Sequence, residues 1–570
     1  MSDWNPRANA WAWVPWLVGS AAVALAWRLR FVGDDAFIAF HYARSLVEGT
    51  GLTWFGTPVQ GYTSFLWVLW VALGMRLGAD PVPWSQAGGL AAFVAVLAST
   101  WWLARRLDAS PVAALVALLG VSINFSVLCF ATGGLETMLQ TALITVATCQ
   151  LVAMRTAARW SVRRLAVLSL LLGLGALTRL DTGVAGLVLV GASLAAIRRT
   201  HAAGRIARRV VALLLPGGLL VGAWMAWKLA VYGSLLPHAF HAKVDASLDP
   251  VGLLLVGRFL SAYWIGPLAV VGLALAWLRR RTLRRPGAGP LLVLVLTWWG
   301  YVALVGGDFM EFRFMVPVAP VLFVLLGLLT SAVVDGGSSA WRAGAAGGVI
   351  AVLVIGSVVH ARTFHGTGDA TLDSIGQLAT YYGVYPDGNW QRIGAALRRD
   401  LGGRGVRIAC HGVGAIPYYS RLETLDMWGL NDPDVVAHGR RLGDRFARPG
   451  HTVHATVDLL RRRGVHLVIG HPQLVREGTL HTIRDPQIWR GVFDYRFVFM
   501  NEDPIPVAEV VAMPIGGGDS LVMWALTPHP RVEELVASGR WESMRLEDVG
   551  GGGGEDRPDA APGRQEGGGS

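Results

Sequence analysis

Charged residues and cysteines are both scarce in this chain. Only 16% of its 570 residues are Asp, Glu, Lys or Arg, whereas a soluble globular protein carries about 25%. This shortage excludes an ordinary cytosolic enzyme and an intrinsically disordered chain. There are three cysteines, two of them in apolar runs (Cys129 and Cys149), so the sequence also offers neither a disulfide framework nor a zinc motif.

Lysine is nearly missing as well, and the placement of the arginines is informative. Lys228 and Lys243 stand beside 48 arginines, and the formal net charge is +11. The arginines form short clusters between apolar runs, which is the pattern that orients membrane spans. We therefore expect a lipid bilayer as a partner and no nucleic acid. Heavy use of Arg, Ala and Gly is typical of a GC-rich bacterial genome.

The first 360 or so residues read as a succession of apolar runs, and the mean hydropathy of the chain is +0.45. A membrane span needs about 20 apolar residues, and about eleven runs are candidates, some of them short. They cover roughly residues 11–31, 84–104, 111–131, 137–154, 165–178, 183–197, 210–230, 261–278, 288–305, 313–332 and 341–361.

The arginine clusters also predict the orientation of these spans. The segment 62–78 could span or could lie in the interface as an amphipathic helix. In the second interpretation all four dense clusters fall on the cytoplasmic side. We thus predict a multi-pass protein of the bacterial inner (plasma) membrane with a cytoplasmic N-terminus. The loop 32–83 then lies outside and carries two juxtamembrane helices.

The last third of the chain has a different composition. Residues 406–409 and 465–469 read as buried strands, and 389–401 and 457–463 read as helices. We therefore predict an all-α membrane domain over 1–361, an extracytoplasmic α/β domain over 362–545 and a disordered tail over 546–570. The glycines at 412 and 414 are too few for a nucleotide-binding fingerprint. The loop 426–432 is an edge of a functional cavity, a loop that contacts a glycan, or simply a structural turn.

With this orientation, acids and a few bases gather at the outer membrane boundary, where ionisable groups are costly and indicate function. Asp34 and Asp35 either begin a helix whose dipole favours them or supply a general base. Lys243 suits a phosphate oxygen better than the bulkier guanidinium. The other candidates are Arg179, Arg313 and His238 toward a phosphate, and Tyr62, Trp67, Glu136, Asp181 and Asp308 toward the substrate.

Each of these candidates also has a purely structural interpretation. Arg179 with Asp181, and Asp308 with Arg313, could be ion pairs and nothing more. Tyr62 belongs to a segment that could be part of an aromatic belt. Glu136 follows a glycine turn and could merely begin a helix, while Trp67 shares the belt interpretation of Tyr62.

Six motifs in order resemble those of the GT-C glycosyltransferases that use polyprenyl-phosphate sugars. More narrowly, the chain resembles the mycobacterial-type terminal β-(1→2) arabinofuranosyltransferases over most of residues 30–435. The motifs are GDDAFIAFHYARSLVEGTGL, QGYTSFLW, GGLETML, LTRLD, YGSLLPHAFHAK and GGDFMEFRF. The sequence departs from that pattern at His238, His241, Leu180 and Glu311–Phe312.

The resemblance implies a GT-C membrane fold and a catalytic acid at Asp34 or Asp35. It also implies transfer of a sugar, arabinofuranose or else a hexose, from a polyprenyl-phosphate donor to a cell-envelope glycan. A lipid-sugar flippase is the alternative, but a transporter should place its charges near the bilayer midplane. No residue cluster in the sequence demands a metal, although enzymes of this kind can use a divalent cation.

Overall fold

A computed structural model describes residues 6–107, 110–238, 250–279, 288–334, 338–364, 372–381, 389–441, 452–482 and 509–545. Its first part is helical and its last part contains a sheet, as the sequence predicts. The helices of the first part are α1 Pro6–Arg28, α2 Asp34–Val47, α3 Phe65–Arg76, α4 Pro81–Arg106, α5 Pro111–Ile123, α6 Phe125–Phe130, α7 Thr137–Thr156, α8 Val162–Thr178, α9 Thr182–Thr200, α10 Ala203–Tyr232, α11 Pro250–Ala262, α12 Ile265–Arg279, α13 Ala288–Leu304, α14 Ala319–Val334 and α15 Ser339–Thr363, with a 3₁₀ turn at Arg313–Val318.

Six helices in the described ranges are long and apolar enough to cross a membrane, or seven crossings if one bent pair counts as a single span. The chain is therefore a multi-pass membrane protein. All eleven predicted runs are helical over most of their length. That each of them crosses the bilayer stays a prediction, since some of these helices are short.

Two of the predicted runs are not continuous helices. The run 111–131 is broken at Asn124, whose side chain accepts a hydrogen bond from the Val127 N–H and so begins a new helix. The predicted start of the span 261–278 is wrong, because α11 ends at Ala262 and the helix axis bends by 81° between α11 and α12. The bend lies at Trp264, which has a left-handed backbone with φ of +54°.

Helices α2 and α3 lie in the loop between α1 and α4 and confirm the two predicted juxtamembrane helices. Helix α2 follows Gly33, whose extended backbone ends the preceding segment. Asp34 and Asp35 occupy the first turn, where the helix dipole favours negative charge. Helix α3 is apolar throughout but only 12 residues long, which is too short to cross a bilayer by itself.

The last part of the chain contains a mixed sheet of six strands in the described residues. The order is β2-β1-β5-β7-β6-β8; β2, β1 and β5 are parallel, and the remaining neighbours are antiparallel. The predicted strands and helices of this region are confirmed. Its elements are α16 Ile375–Tyr381, α17 Asn389–Leu401, β1 Arg407–Cys410, α18 Ala415–Ser420, β2 Glu423–Asp426, α19 Pro433–His438, β3 Arg440–Arg441, β4 Val453–His454, α20 Val457–Arg462, β5 Leu467–Arg476, β6 Glu509–Gly516, β7 Asp519–Ala525, α21 Pro530–Ala537 and β8 Glu542–Arg545.

The two parts pack tightly against each other through α2 and the loop that follows it. The ring centroids of Phe37 and Tyr418 lie 5.4 Å apart, and the Arg44 guanidinium lies over the Tyr418 ring at 4.3 Å. Arg44 also donates to the Tyr418 carbonyl at 2.6 Å. The indole N–H of Trp54 donates to the Thr424 carbonyl at 3.0 Å. The α/β part is thus held against the loop that carries the acid pair, while the domain bounds 1–361, 362–545 and 546–570 stay predictions.

Candidate active site

A cavity of about 230 Å³ lies where several interhelical loops meet beside the first turns of α2. Its wall includes residues from α2, from the loop before α3, and from the turns that precede α7 and α9. The segment between α13 and the 3₁₀ turn supplies another side. Leu430 comes from the α/β part, so both parts of the chain contribute to one cavity.

Asp35 is the member of the acid pair that lines this cavity. Its side chain is 26% exposed, and its Oδ2 lies 4.0 Å from Nη1 of Arg313. Arg313 is itself buried and donates from Nε to Asp308 at 2.6 Å. The sequence led us to expect Asp308 and Arg313 in one cavity with Asp34, but the acid that lines the cavity with them is Asp35.

Arg179 forms the second charged group of the cavity wall. Its guanidinium donates to Asp181 from Nε at 3.0 Å and from Nη2 at 2.9 Å. A third bond reaches Glu136 at 2.8 Å, and Gln140 donates to the other Asp181 oxygen at 2.6 Å. The ion pair considered for Arg179 and Asp181 is therefore present, and Glu136 extends it.

These groups leave the described cavity wall with more acid than base. Its charged members are Asp35, Glu136, Asp181, Asp308, Arg179 and Arg313. Two guanidinium groups thus face four carboxylates, a surplus of two negative charges if all are ionised. An anionic ligand in this cavity would need a further cation.

Asp34 points away from the cavity, in a different direction from Asp35. Successive residues of a helix are rotated by about 100°, and the Asp34 carboxylate is turned toward the α/β part. It accepts hydrogen bonds from the backbone N–H of Gly414 at 3.0 Å and of Ala415 at 2.7 Å. Burial raises the pKa of Asp34 to about 7, although the two backbone hydrogen bonds favour its charged form.

The two aromatic candidates lie in different places. Tyr62 is on the cavity wall, and its hydroxyl lies 3.2 Å from that of Tyr232. Trp67 is buried behind the described wall, and its indole N–H donates to the Gly134 carbonyl at 2.9 Å. Trp67 is therefore not among the residues that line this cavity, and its substrate role stays a prediction. Trp67 instead holds the glycine turn that leads to Glu136.

The phosphate candidates after α10 are only partly described. His238 donates from its backbone N–H to the Gln60 carbonyl at 2.9 Å, and the neighbouring Pro237 lines the cavity. Lys243 and His241 lie outside the described residues, so the phosphate role of Lys243 stays a prediction.

Sequence reasoning missed a buried pair beneath the Asp308–Arg313 segment. Nε2 of His360, in the last turn of α15, lies 2.6 Å from Oε1 of Glu311, and the other Glu311 oxygen accepts from the Ile375 N–H at 2.6 Å. Both side chains are almost fully buried. The available signal was an acid beside Arg313 and a histidine that ends an apolar span.

The described fold has a counterpart among solved structures. It matches the crystal structure of ArnT from Cupriavidus metallidurans bound to undecaprenyl phosphate, with a TM-score of 0.53 over 92% of this chain and 100% of that one. The sequence identity is 12%, so this likeness concerns the fold.

In sequence, the chain is similar to the terminal β-(1→2)-arabinofuranosyltransferase of Mycobacterium tuberculosis, at 27% identity over 368 residues. That match takes in 56% of this chain and 56% of the mycobacterial protein, so it spans little more than half of either. Residues 380–514 match a family described as a domain of unknown function, DUF8728.

Proposed function

We propose that this chain is a membrane glycosyltransferase that transfers a sugar from a polyprenyl-phosphate donor to a hydroxyl of a cell-envelope glycan. The observation that carries the proposal is the cavity in which the Asp35 carboxylate faces the Arg313 guanidinium across 4.0 Å. A base and a cation on one wall are what such a transfer needs. The GT-C fold and the similarity to an arabinofuranosyltransferase support the same conclusion.

In this proposal Asp35 is the general base. The acceptor hydroxyl oxygen attacks the anomeric carbon of the donor and forms the new glycosidic bond. The bond from that carbon to the phosphate oxygen breaks, and its electron pair leaves with the polyprenyl phosphate. Asp35 takes the hydroxyl proton, while Arg313 and Arg179 face the departing phosphate. That leaving group is already an anion, so strong acid assistance is unnecessary.

The surplus of acid on the cavity wall gives Lys243 a specific role. Two arginines that are engaged by carboxylates leave little positive charge for a phosphate. We infer that Lys243, with His238 nearby in the chain, supplies the missing cation when the donor is bound. A divalent cation is the alternative source of that charge, and a chelator in the assay separates the two.

The remaining candidates surround the sugar in this proposal. Tyr62 offers a ring face on the cavity wall, and Glu136, Asp181 and Asp308 offer carboxylate oxygens to sugar hydroxyls. The preferred sugar is arabinofuranose, on the strength of one relative at 27% identity. A hexose donor is the alternative within the same fold. We place the N-terminus in the cytoplasm and the α/β part outside, following the arginine clusters.

A transfer assay with the purified protein in detergent tests these statements. The donors are polyprenyl-phosphate sugars, decaprenyl-phosphate arabinofuranose among them, and the acceptors are arabinan and other glycans. We expect product from the arabinofuranose donor and its loss in D35N, while the exposed-site control D519N stays active. Product from a hexose donor alone would discard the arabinose assignment. Donor binding without transfer from any donor would favour a flippase instead.

A further inference from the structure

The Asp34 carboxylate is bound at the edge of the sheet where the parallel strands β1 and β2 end. Strand β1 ends at Cys410, and the loop after it leads to Gly414 and the first turn of α18. In α/β sheets this edge is where ligands bind. Here the edge receives a carboxylate of the same chain, and both of its oxygens accept a backbone N–H.

The approach of the two backbones at this point is close enough to require glycine. A Cβ atom at Gly414 would lie 1.9 Å from the Asp34 carbonyl oxygen, far inside van der Waals contact. Any larger residue at position 414 would therefore push α18 away from α2. The contact therefore requires the Asp34 carboxylate on α2 and a residue without a side chain at position 414.

A second contact joins the same two parts on the cavity side. The Asn431 Oδ1 lies 3.0 Å from the Tyr42 hydroxyl. Asp426, at the end of β2, holds Asn431 by accepting from its backbone N–H at 2.9 Å and its amide at 3.0 Å. A Cβ at Gly61 would meet Asn431 Oδ1 at 1.7 Å. This contact sets the position of the neighbouring Leu430, which lines the cavity.

Asp34 is coupled to Asp35 by the backbone itself. Adjacent Cα atoms are about 3.8 Å apart and both residues lie in one rigid helical turn. Holding the Asp34 side chain in the α/β part therefore fixes the rotation of α2 about its axis. That rotation decides whether Asp35 points at Arg313.

We propose that Asp34 is a positioning residue that clamps the α/β part onto α2 and thereby aims Asp35 into the cavity. The inference rests on the proposed role of Asp35 as the base. It assigns a task to the α/β part, whose matched family has no described function. The α/β part closes one wall of the cavity and anchors the turn that carries the base.

The test compares hydrogen exchange with turnover in the full-length protein in detergent. Exchange is followed by mass spectrometry in peptides that cover residues 411–420, and kinetics are measured by the transfer assay. The variants are D34A, D34N, G414A and D35N, with D519N as the exposed control. D34N and G414A keep the test decisive if D34A does not fold.

For D34A and G414A we expect faster exchange in this segment, by about tenfold to a hundredfold, because hydrogen bonds to a charged group are lost or strained. Their kcat should fall by a similar factor with the KM for the donor nearly unchanged. D34N keeps one acceptor oxygen and should recover part of both losses. D35N should abolish turnover and leave the exchange of residues 411–420 as in the unmodified protein.

Other outcomes would overturn the clamp. If D34A loses turnover as D35N does while exchange stays unchanged, Asp34 is the base and not a positioning residue. If D34A changes neither exchange nor kcat, the contact has no role. Full activity of D35N would refute the proposed base, and the exchange measurement would still judge the clamp by itself.

Discussion

Arg313 has two partners, and its two roles can be separated by experiment. It pairs with the buried Asp308 at 2.6 Å and faces Asp35 at 4.0 Å. Replacing Arg313 by Met keeps an unbranched apolar stem and removes the charged guanidinium. The Asp308 carboxylate then stays buried without its cation, which costs about 3 kcal/mol of stability by the usual effect of breaking a buried ion pair.

The double variant R313M/D308N removes both charges at once. A broken buried pair is costly chiefly because one charge is left uncompensated, and D308N removes that charge, so we expect the double variant to regain most of the loss. Its activity should not return. Loss of a preorganised donor to a developing anion costs about 10² to 10³ in kcat, and the double variant still lacks that donor.

Thermal unfolding in detergent and the transfer assay measure the two quantities side by side. As a control, R392M removes the guanidinium of an ion pair that is about a third exposed, with Asp519 at 3.3 Å, and should cost less than about 1 kcal/mol. If R313M/D308N regains activity together with stability, Arg313 serves only to balance Asp308. The phosphate role would then be refuted.

Three further predictions use other contacts. Glu311 and His360 hold the segment that carries Arg313, so E311A should lower the free energy of unfolding by about 3 kcal/mol. In the double variant, H360A should add little to that loss, and fully additive losses in thermal unfolding would contradict the coupling. W67F should lower stability by about 1 kcal/mol, because it removes the hydrogen bond to Gly134, and should leave the donor KM unchanged. A large rise in KM would indicate instead that Trp67 contacts the substrate. Burial raises the pKa of Asp34 to about 7, above its unfolded value. The stability of the unmodified protein relative to D34N should therefore decline as pH rises from about 4 to about 7. A stability difference that does not change with pH would refute this prediction.

Most of the membrane part could be predicted because span length and charge asymmetry are simple physical constraints. Apolar runs between arginine clusters predicted helices at nearly every place where they occur. The exceptions depend on single residues. Asn124 caps a new helix in the middle of one run, and a left-handed residue at Trp264 bends another. Hydropathy averaged over a span does not register such local effects.

The sequence indicated most of the residues that form the site, but not the directions in which their side chains point. Asp308 and Arg313 were expected to share a cavity with Asp34, because the predicted topology places all three at one membrane boundary. Which acid of the pair enters the cavity depends on the rotation of α2, and that rotation is fixed by backbone groups 380 residues away. The position of Trp67 behind the wall could not be predicted for a related reason, since its partner is a backbone carbonyl that no side-chain pattern reveals.

The distance along the chain between Asp34 and its partners has a consequence for biosynthesis. A contact with a sequence separation of 380 residues cannot form until residues 414 and 415 have been made. The helices of the membrane part are synthesised earlier and enter the bilayer while the Asp34 carboxylate has no amide to bind. On this view the protein acquires its activity late in synthesis, when the α/β part docks, and a truncated chain that still inserts correctly would remain inactive.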